Sequence, residues 1–163
     1  MRNSLAALVL ASVSVVPAVA RAGWVVEGSY GKGVKVSPDP VKATQSNIMI
    51  ALGYAIPFLR FEVGFLNNLP DLKDSKYDIE IRPMVVIAPP ILPIYGRVVF
   101  AVTNLLHGKT TVAYGAAGGL KLGLGPVGVF AEAGVLPRSV NQPTGGNKLN
   151  WVIEGRAGVV LEF

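Results

Sequence analysis

The residues of this chain best equipped for chemistry are its charges, and their spacing is regular. Glu27, Glu62, Glu80, Glu132, Glu154 and Glu162 are all the glutamates present. Each lies in a stretch where apolar and non-apolar residues alternate, and each falls in the non-apolar set. Asp78, Arg60, Arg82, Arg97, Lys121 and Arg156 share that set. Side chains alternate between the faces of a strand, so these groups converge on one face of any sheet the chain forms. Carboxylates and guanidinium groups so gathered can pair, line a polar channel, or exchange protons. A ring of one sign would suggest ion selectivity, whereas interspersed signs suggest ion pairs. With successive strands as neighbours, the expected contacts are Glu62 with Arg82, Glu132 with Arg156, and Arg97 with the acids of the fourth strand.

Other chemistry finds little support. His107-Gly108-Lys109-Thr110-Thr111 has the end of a phosphate-binding loop. That motif needs a glycine five residues before Gly108, where Thr103 stands, and a helix afterwards, where Thr110 onward alternates as a strand. A hairpin loop with glycine at its turn accounts for it. One histidine, no cysteine and scattered carboxylates give no metal-ligand spacing and call for no cofactor. No basic-aromatic stripe points to nucleic acid.

The elements that position the charges are strands. Alternating segments run through Trp24–Gly31, Asn47–Ile56, Leu59–Phe65, Tyr77–Ile87, Ile94–Thr103, Thr111–Leu122, Val127–Val135 and Leu149–Phe163. Eight is the smallest strand number of bacterial outer-membrane barrels. The connections alternate in length. Pro57, Ala88–Leu92 and Gly125-Pro126 are short; Ser37–Thr44, Asn67–Lys76, Asn104–Lys109 and Pro137–Lys148 are longer. Gly115–Gly125 is rich in small residues, which leave room in a narrow barrel for large neighbours. Pro83 falls inside the fourth strand, where it cannot donate to the ladder, so a bulge or a locally broken bond pair is expected.

Composition agrees with this pattern. Hydrophobic residues make up 51% of the chain and charged ones 15%, against about 25% charged in a soluble domain. Residues 1–22 read as a cleavable signal peptide: Arg2, an apolar core from Leu5 to Val16, then Ala20-Arg21-Ala22. The cut is expected after Ala22 or Ala20. Residues 23–163 form one domain, and no later apolar run is long enough for a spanning helix.

Alternation alone leaves two barrels open, a soluble one with an apolar cavity and a transmembrane one with an apolar exterior. The non-apolar set is short of lysine and rich in glycine and alanine, a poor water-facing surface. Trp24, Tyr30, Tyr54, Tyr77 and Trp151 sit near strand ends within the apolar set, as an interfacial girdle does. Both features favour the transmembrane barrel.

The stretch Arg156-Ala157-Gly158-Val159-Val160-Leu161-Glu162-Phe163 resembles the C-terminal assembly signal of outer-membrane barrels. Arg156, Gly158, Leu161 and Phe163 fill its polar, glycine, apolar and aromatic positions. The resemblance implies recognition by the barrel-assembly machinery during insertion. The whole strand pattern resembles the small OmpA- and OmpX-type barrels. That likeness implies an all-β, eight-stranded antiparallel up-and-down barrel, integral to a Gram-negative outer membrane, with both mature termini periplasmic. It transfers no activity, since the family includes anchors, adhesins and enzymes. Lipid A deacylase barrels place His and Ser two residues apart, and here Lys109 stands two after His107. Palmitoyltransferase barrels use a histidine with loop serines, and nothing brings Ser37, Ser75 or Ser139 to His107. The expectation is a non-enzymatic scaffold or anchor with a charge-plugged lumen. The alternative is a narrow channel or small-solute binder, and a lipid A-modifying enzyme comes third. Lipid and an envelope protein are the expected partners, with lipopolysaccharide phosphates facing rim bases such as Lys73, Lys76 and Lys148.

Overall fold

The computed structural model describes residues 22–35, 44–69, 79–90, 92–103, 105, 110–141 and 147–163. Eight strands account for most of these residues. They are β1 (Gly23–Lys35), β2 (Thr44–Ile56), β3 (Leu59–Asn68), β4 (Ile79–Ile87), β5 (Ile94–Thr103), β6 (Thr111–Leu124), β7 (Val127–Asn141) and β8 (Asn147–Glu162). Each pairs antiparallel with the next, and β8 closes on β1. The result is the closed eight-stranded antiparallel barrel that the alternation predicts.

The register fixes how far the strands lean. Partners followed round the barrel from Trp24 run through Tyr54, Phe61, Val85, Val98, Ala116, Val135 and Ile153. Ile153 then pairs with Val34, so the circuit returns to β1 ten residues beyond its start, 34 against 24. Ten residues at about 3.3 Å, set against eight spacings of about 4.8 Å, incline the strands by about 40°. Every residue on this circuit is apolar or aromatic, and every one faces outward.

Which set faces out is now decided. Phe61 and Phe65 on β3 are 51% and 53% exposed, while Arg60 and Glu62 between and beside them are 4% and 3% exposed. The same alternation holds on every strand, with Ile50, Leu52, Phe100, Leu120, Val129 and Ile153 outside. An exterior of this composition suits lipid rather than water. Trp24 and Tyr54 meet edge to face at one end of the belt, as Tyr114 and Trp151 do at the other.

Pro83 sits in β4 without a bulge. It pairs with Val63 on β3, but the ladder to β5 lacks the pairs of Arg82 and Pro83 and resumes in the same register, from Ile81↔Val102 to Met84↔Val99. The missing N–H breaks bonds on one side only. The last hairpin is longer than expected: β7 and β8 stay paired as far as Asn141↔Asn147, so Pro137 and Lys148 belong to strands rather than to a loop.

The two-residue connections differ in strain. Gly125 takes a φ of 68° at the β6–β7 turn, which glycine does freely. Phe58 takes a φ of 70° after Pro57 in the β2–β3 turn. Proline followed by a positive φ is the type II pattern, which normally places glycine second. A side chain there costs about 1–2 kcal/mol.

The interior is packed. Met49, Ala51, Leu66, Met84, Val99 and Leu136 form one apolar cluster. Val25, Ala55 and Val160 form a second, and Val86, Tyr95 and Phe130 a third. Among the described residues the inward charges share the lumen with these clusters, and Glu27, Arg60, Glu62, Glu80, Arg82, Arg97, Glu132, Glu154 and Arg156 are buried.

Candidate functional site

Inward parity brings polar groups from every strand to the lumen, and charges from every strand but β2. From β1 come Glu27 and Ser29, from β2 Asn47, and from β3 Arg60, Glu62 and Asn68. Glu80 and Arg82 come from β4, Arg97 and Tyr95 from β5, Lys121 from β6, and Glu132 from β7. Glu154, Arg156 and Glu162 come from β8.

These groups form one chain of alternating sign along the barrel. At the end where the short turns lie, Lys121 Nζ donates to Glu162 Oε1 at 2.6 Å, and Arg60 Nη1 donates to the same oxygen at 3.1 Å. Arg60 Nε lies 3.2 Å from Glu62 Oε1, and Glu62 Oε2 lies 3.6 Å from Arg97 Nη2. Arg97 grips Glu27 with both terminal nitrogens, at 3.0 and 2.6 Å, and stands 3.4 Å from Glu132. Arg156 Nε is 3.5 Å from Glu132, and its Nη2 donates to Glu154 and to Asn47 Oδ1. Glu154 lies 3.8 Å from Arg82 Nη1. Arg82 donates to Glu80 Oε2 through Nε and Nη2 at 3.1 and 2.8 Å, and Asn68 Nδ2 reaches Glu80 Oε1 at 3.3 Å.

Burial sets how strongly these pairs couple. Arg60, Arg82, Arg97 and Arg156, and all the glutamates but Glu162, are buried, so water screens them little. Among the described residues the pairs of Glu162 at the turn end are partly open, with the Lys121 and Glu162 side chains 17% and 30% exposed. Aromatic rings supply further contacts. The Arg97 guanidinium lies 5.7 Å from the Tyr95 and Phe130 ring centres, and Tyr95 Oη donates to Glu132 at 2.8 Å. Glu62 is held by charge alone, since neither of its buried oxygens accepts a hydrogen bond.

Some expected contacts are present and others are replaced. Glu132 does face Arg156, its direct partner across β7 and β8. Glu62 does not meet Arg82. The register sets Gly64 opposite Arg82 and Met84 opposite Glu62. Arg82 turns instead to Glu80 two residues before it and to Glu154 on β8. Arg97 does not meet Glu80, the acid of β4 among the described residues, either. It pairs with Val86 in the ladder, far along the strand from Glu80, and reaches β1, β3 and β7. In so narrow a barrel a long side chain spans the lumen more readily than it climbs its neighbour. Ser29, Asn47, Asn68 and Tyr95 are partners that charge alone does not reveal; an inward position with a polar head was their signal.

The remaining expected residues lie in or next to β8, or outside the described residues. Gly158 lies where an added Cβ would come 2.4 Å from Gly28 O and 2.7 Å from the Phe130 ring, so this position needs glycine for space. Leu161 pairs with Val26 and Val127, and Phe163 points outward while its N–H donates to Trp24 O at 2.9 Å. Lys148 lies in β8 opposite Val140. Lys73, Lys76, Asp78, His107, Ser37, Ser75 and the expected signal peptide up to residue 21 lie outside the described residues.

No family model and no curated protein matches this sequence. Among solved structures, the crystal structure of Neisserial surface protein A (NspA) is similar, with a TM-score of 0.61 at 19% identity. The likeness covers 86% of this chain and 97% of that one. At this identity it is a likeness of fold.

Proposed function

We propose that the chain is an integral outer-membrane barrel that serves the envelope as a scaffold or anchor, with a lumen closed by its own ion pairs. One observation carries this reading: the alternating chain from Lys121 to Glu80, threaded between apolar clusters, leaves each charge facing its opposite. A conducting pore needs polar groups free to exchange with water and ions. Here the arginines are engaged with carboxylates, and Met49, Met84, Leu136 and Phe130 occupy the space beside them. The apolar exterior and the fold shared with a Neisserial surface protein support placement in an outer membrane.

Planar-bilayer recording tests the plug. The wild type should show little or no steady conductance, and Arg82→Ala or Arg156→Ala should increase leakage. A stable open channel in the unmutated protein would transfer the function to solute passage. Purification from native membranes in mild detergent addresses the scaffold, which requires a stoichiometric partner to accompany the barrel.

A further inference from the structure

The two ends of the barrel differ in a way the scaffold reading does not use. At one end the outward set turns polar, with Lys32 on β1, Ser46 on β2 and Asn67 on β3. At the other end it never does. The three connections there, residues 57–58, 88–93 and 125–126, contain no polar side chain at all. They are built from Pro57-Phe58, Ala88-Pro89-Pro90-Ile91-Leu92-Pro93 and Gly125-Pro126. Phe58 and Leu92 are 57% and 54% exposed.

We infer that this turn end is sunk in the lipid of its own leaflet, so that phospholipid, not water or a protein, covers the short turns. The inference rests on the transmembrane reading above and extends it to one face. Depth supports it. A lipid-facing band is about 25 Å tall, and strands inclined by about 40° climb about 2.5 Å per residue, so about ten residues cross it. Ten residues down from Lys32, Ser46 and Asn67 lie Ala22, Ile56 and Pro57. The band therefore reaches the turns, and the exposed side chains of Ile56, Ile87 and Ile94 lead into Phe58 and Leu92.

The backbone of the turns tells the same story. In lipid an unpaired N–H has no water to bond, so spanning structures leave none. Pro57, Pro89, Pro90, Pro93 and Pro126 have no N–H to leave unpaired. Of the groups that remain, one N–H and three carbonyls bond to a neighbouring hairpin. Ala88 N donates to Phe58 O at 2.9 Å, Lys121 N to Pro93 O at 2.7 Å, and Glu162 N to Pro126 O at 2.8 Å. Phe58 itself is the third sign. A water-facing turn with a positive φ at this position would take glycine or asparagine. An aromatic there carries backbone strain, and its ring is exposed, outside the buried clusters of the described residues.

The chain has no cysteine, so single cysteines report cleanly. Phe58→Cys and Leu92→Cys, spin-labelled in phosphatidylethanolamine–phosphatidylglycerol vesicles, should collide with oxygen at least several-fold more than with a water-soluble nickel complex. Val63→Cys in the belt and Leu105→Cys near the opposite end give the lipid and water references. Positions 58 and 92 matching position 63 support the inference; matching position 105 overturns it. Protection at 58 and 92 that appears in native envelopes but not in pure lipid also overturns it, in favour of an apolar protein partner. If position 63 itself reads as water, the transmembrane reading fails rather than this one. Pro126→Cys carries the same measurement should a label at 58 prevent closure.

Discussion

Arg97 gathers three carboxylates, Glu27, Glu62 and Glu132, from three strands, none of which adjoins its own. Removing one member of a buried charge group leaves the others desolvated and unpaired, at a cost of about 3–5 kcal/mol. Arg97→Ala should therefore lower stability by that order, read from urea unfolding in lipid vesicles. Lys121→Ala cuts the partly open pair at the turn end and should cost about 1 kcal/mol or less. Equal losses would mean that the two pairs are equally hydrated, against the burial that separates them. The sequence reveals that these groups share one face, because parity along a strand is local information. Their partners were legible only where ladder opposition decided them, as with Glu132 and Arg156. Where the pairing crosses the lumen, as with Arg97 and Glu27, it depends on the shear of the closed barrel, which no single segment encodes.

β4 shows what one residue does to a ladder. Pro83 interrupts the bonds to β5 over two positions but leaves the register intact on both sides. Pro83→Val returns an N–H to the β5 side while keeping an apolar outward side chain. A net gain of about 1 kcal/mol is expected, the usual worth of one such bond, seen as a higher urea midpoint. A lower midpoint would show that the proline's rigidity contributes more than the bond. Proline's inability to donate was readable from sequence, but the choice between a bulge and a bare gap was not. A bulge would have thrown Arg82 and Glu80 to the outer face, since a slip of one residue reverses every side chain. The long pairing of β7 and β8 is not legible in the sequence, because Pro137 and the run that follows resemble a loop.

For the molecule as a whole, closure rests on the seam between β1 and β8. Phe163 contributes there twice, by its N–H to Trp24 O and by an outward ring 69% exposed. Deleting it should reduce the amount of barrel reaching the membrane and weaken heat-modifiable migration on gels. Unchanged yield and migration would remove this residue from the assembly step. The apolar belt, the outward aromatics and the strand count were all readable in the alternation. The depth of the turns was not, because it follows from the tilt, and the tilt follows from the ten-residue offset.

The cross-lumen reach of Arg97 also sets the order of events in folding. No single hairpin contains both Arg97 and any of its three acids; Glu27 is 70 residues away in sequence. A barrel that still lacks β7 and β8 thus holds Arg97 without Glu132 and Lys121 without Glu162. Such partial forms are raised in free energy by the groups that stabilise the finished one, and the last strand to arrive relieves several of them together. The ion chain is then a device for cooperativity: it penalises stopping short, and drives the chain to remain outside or to close completely.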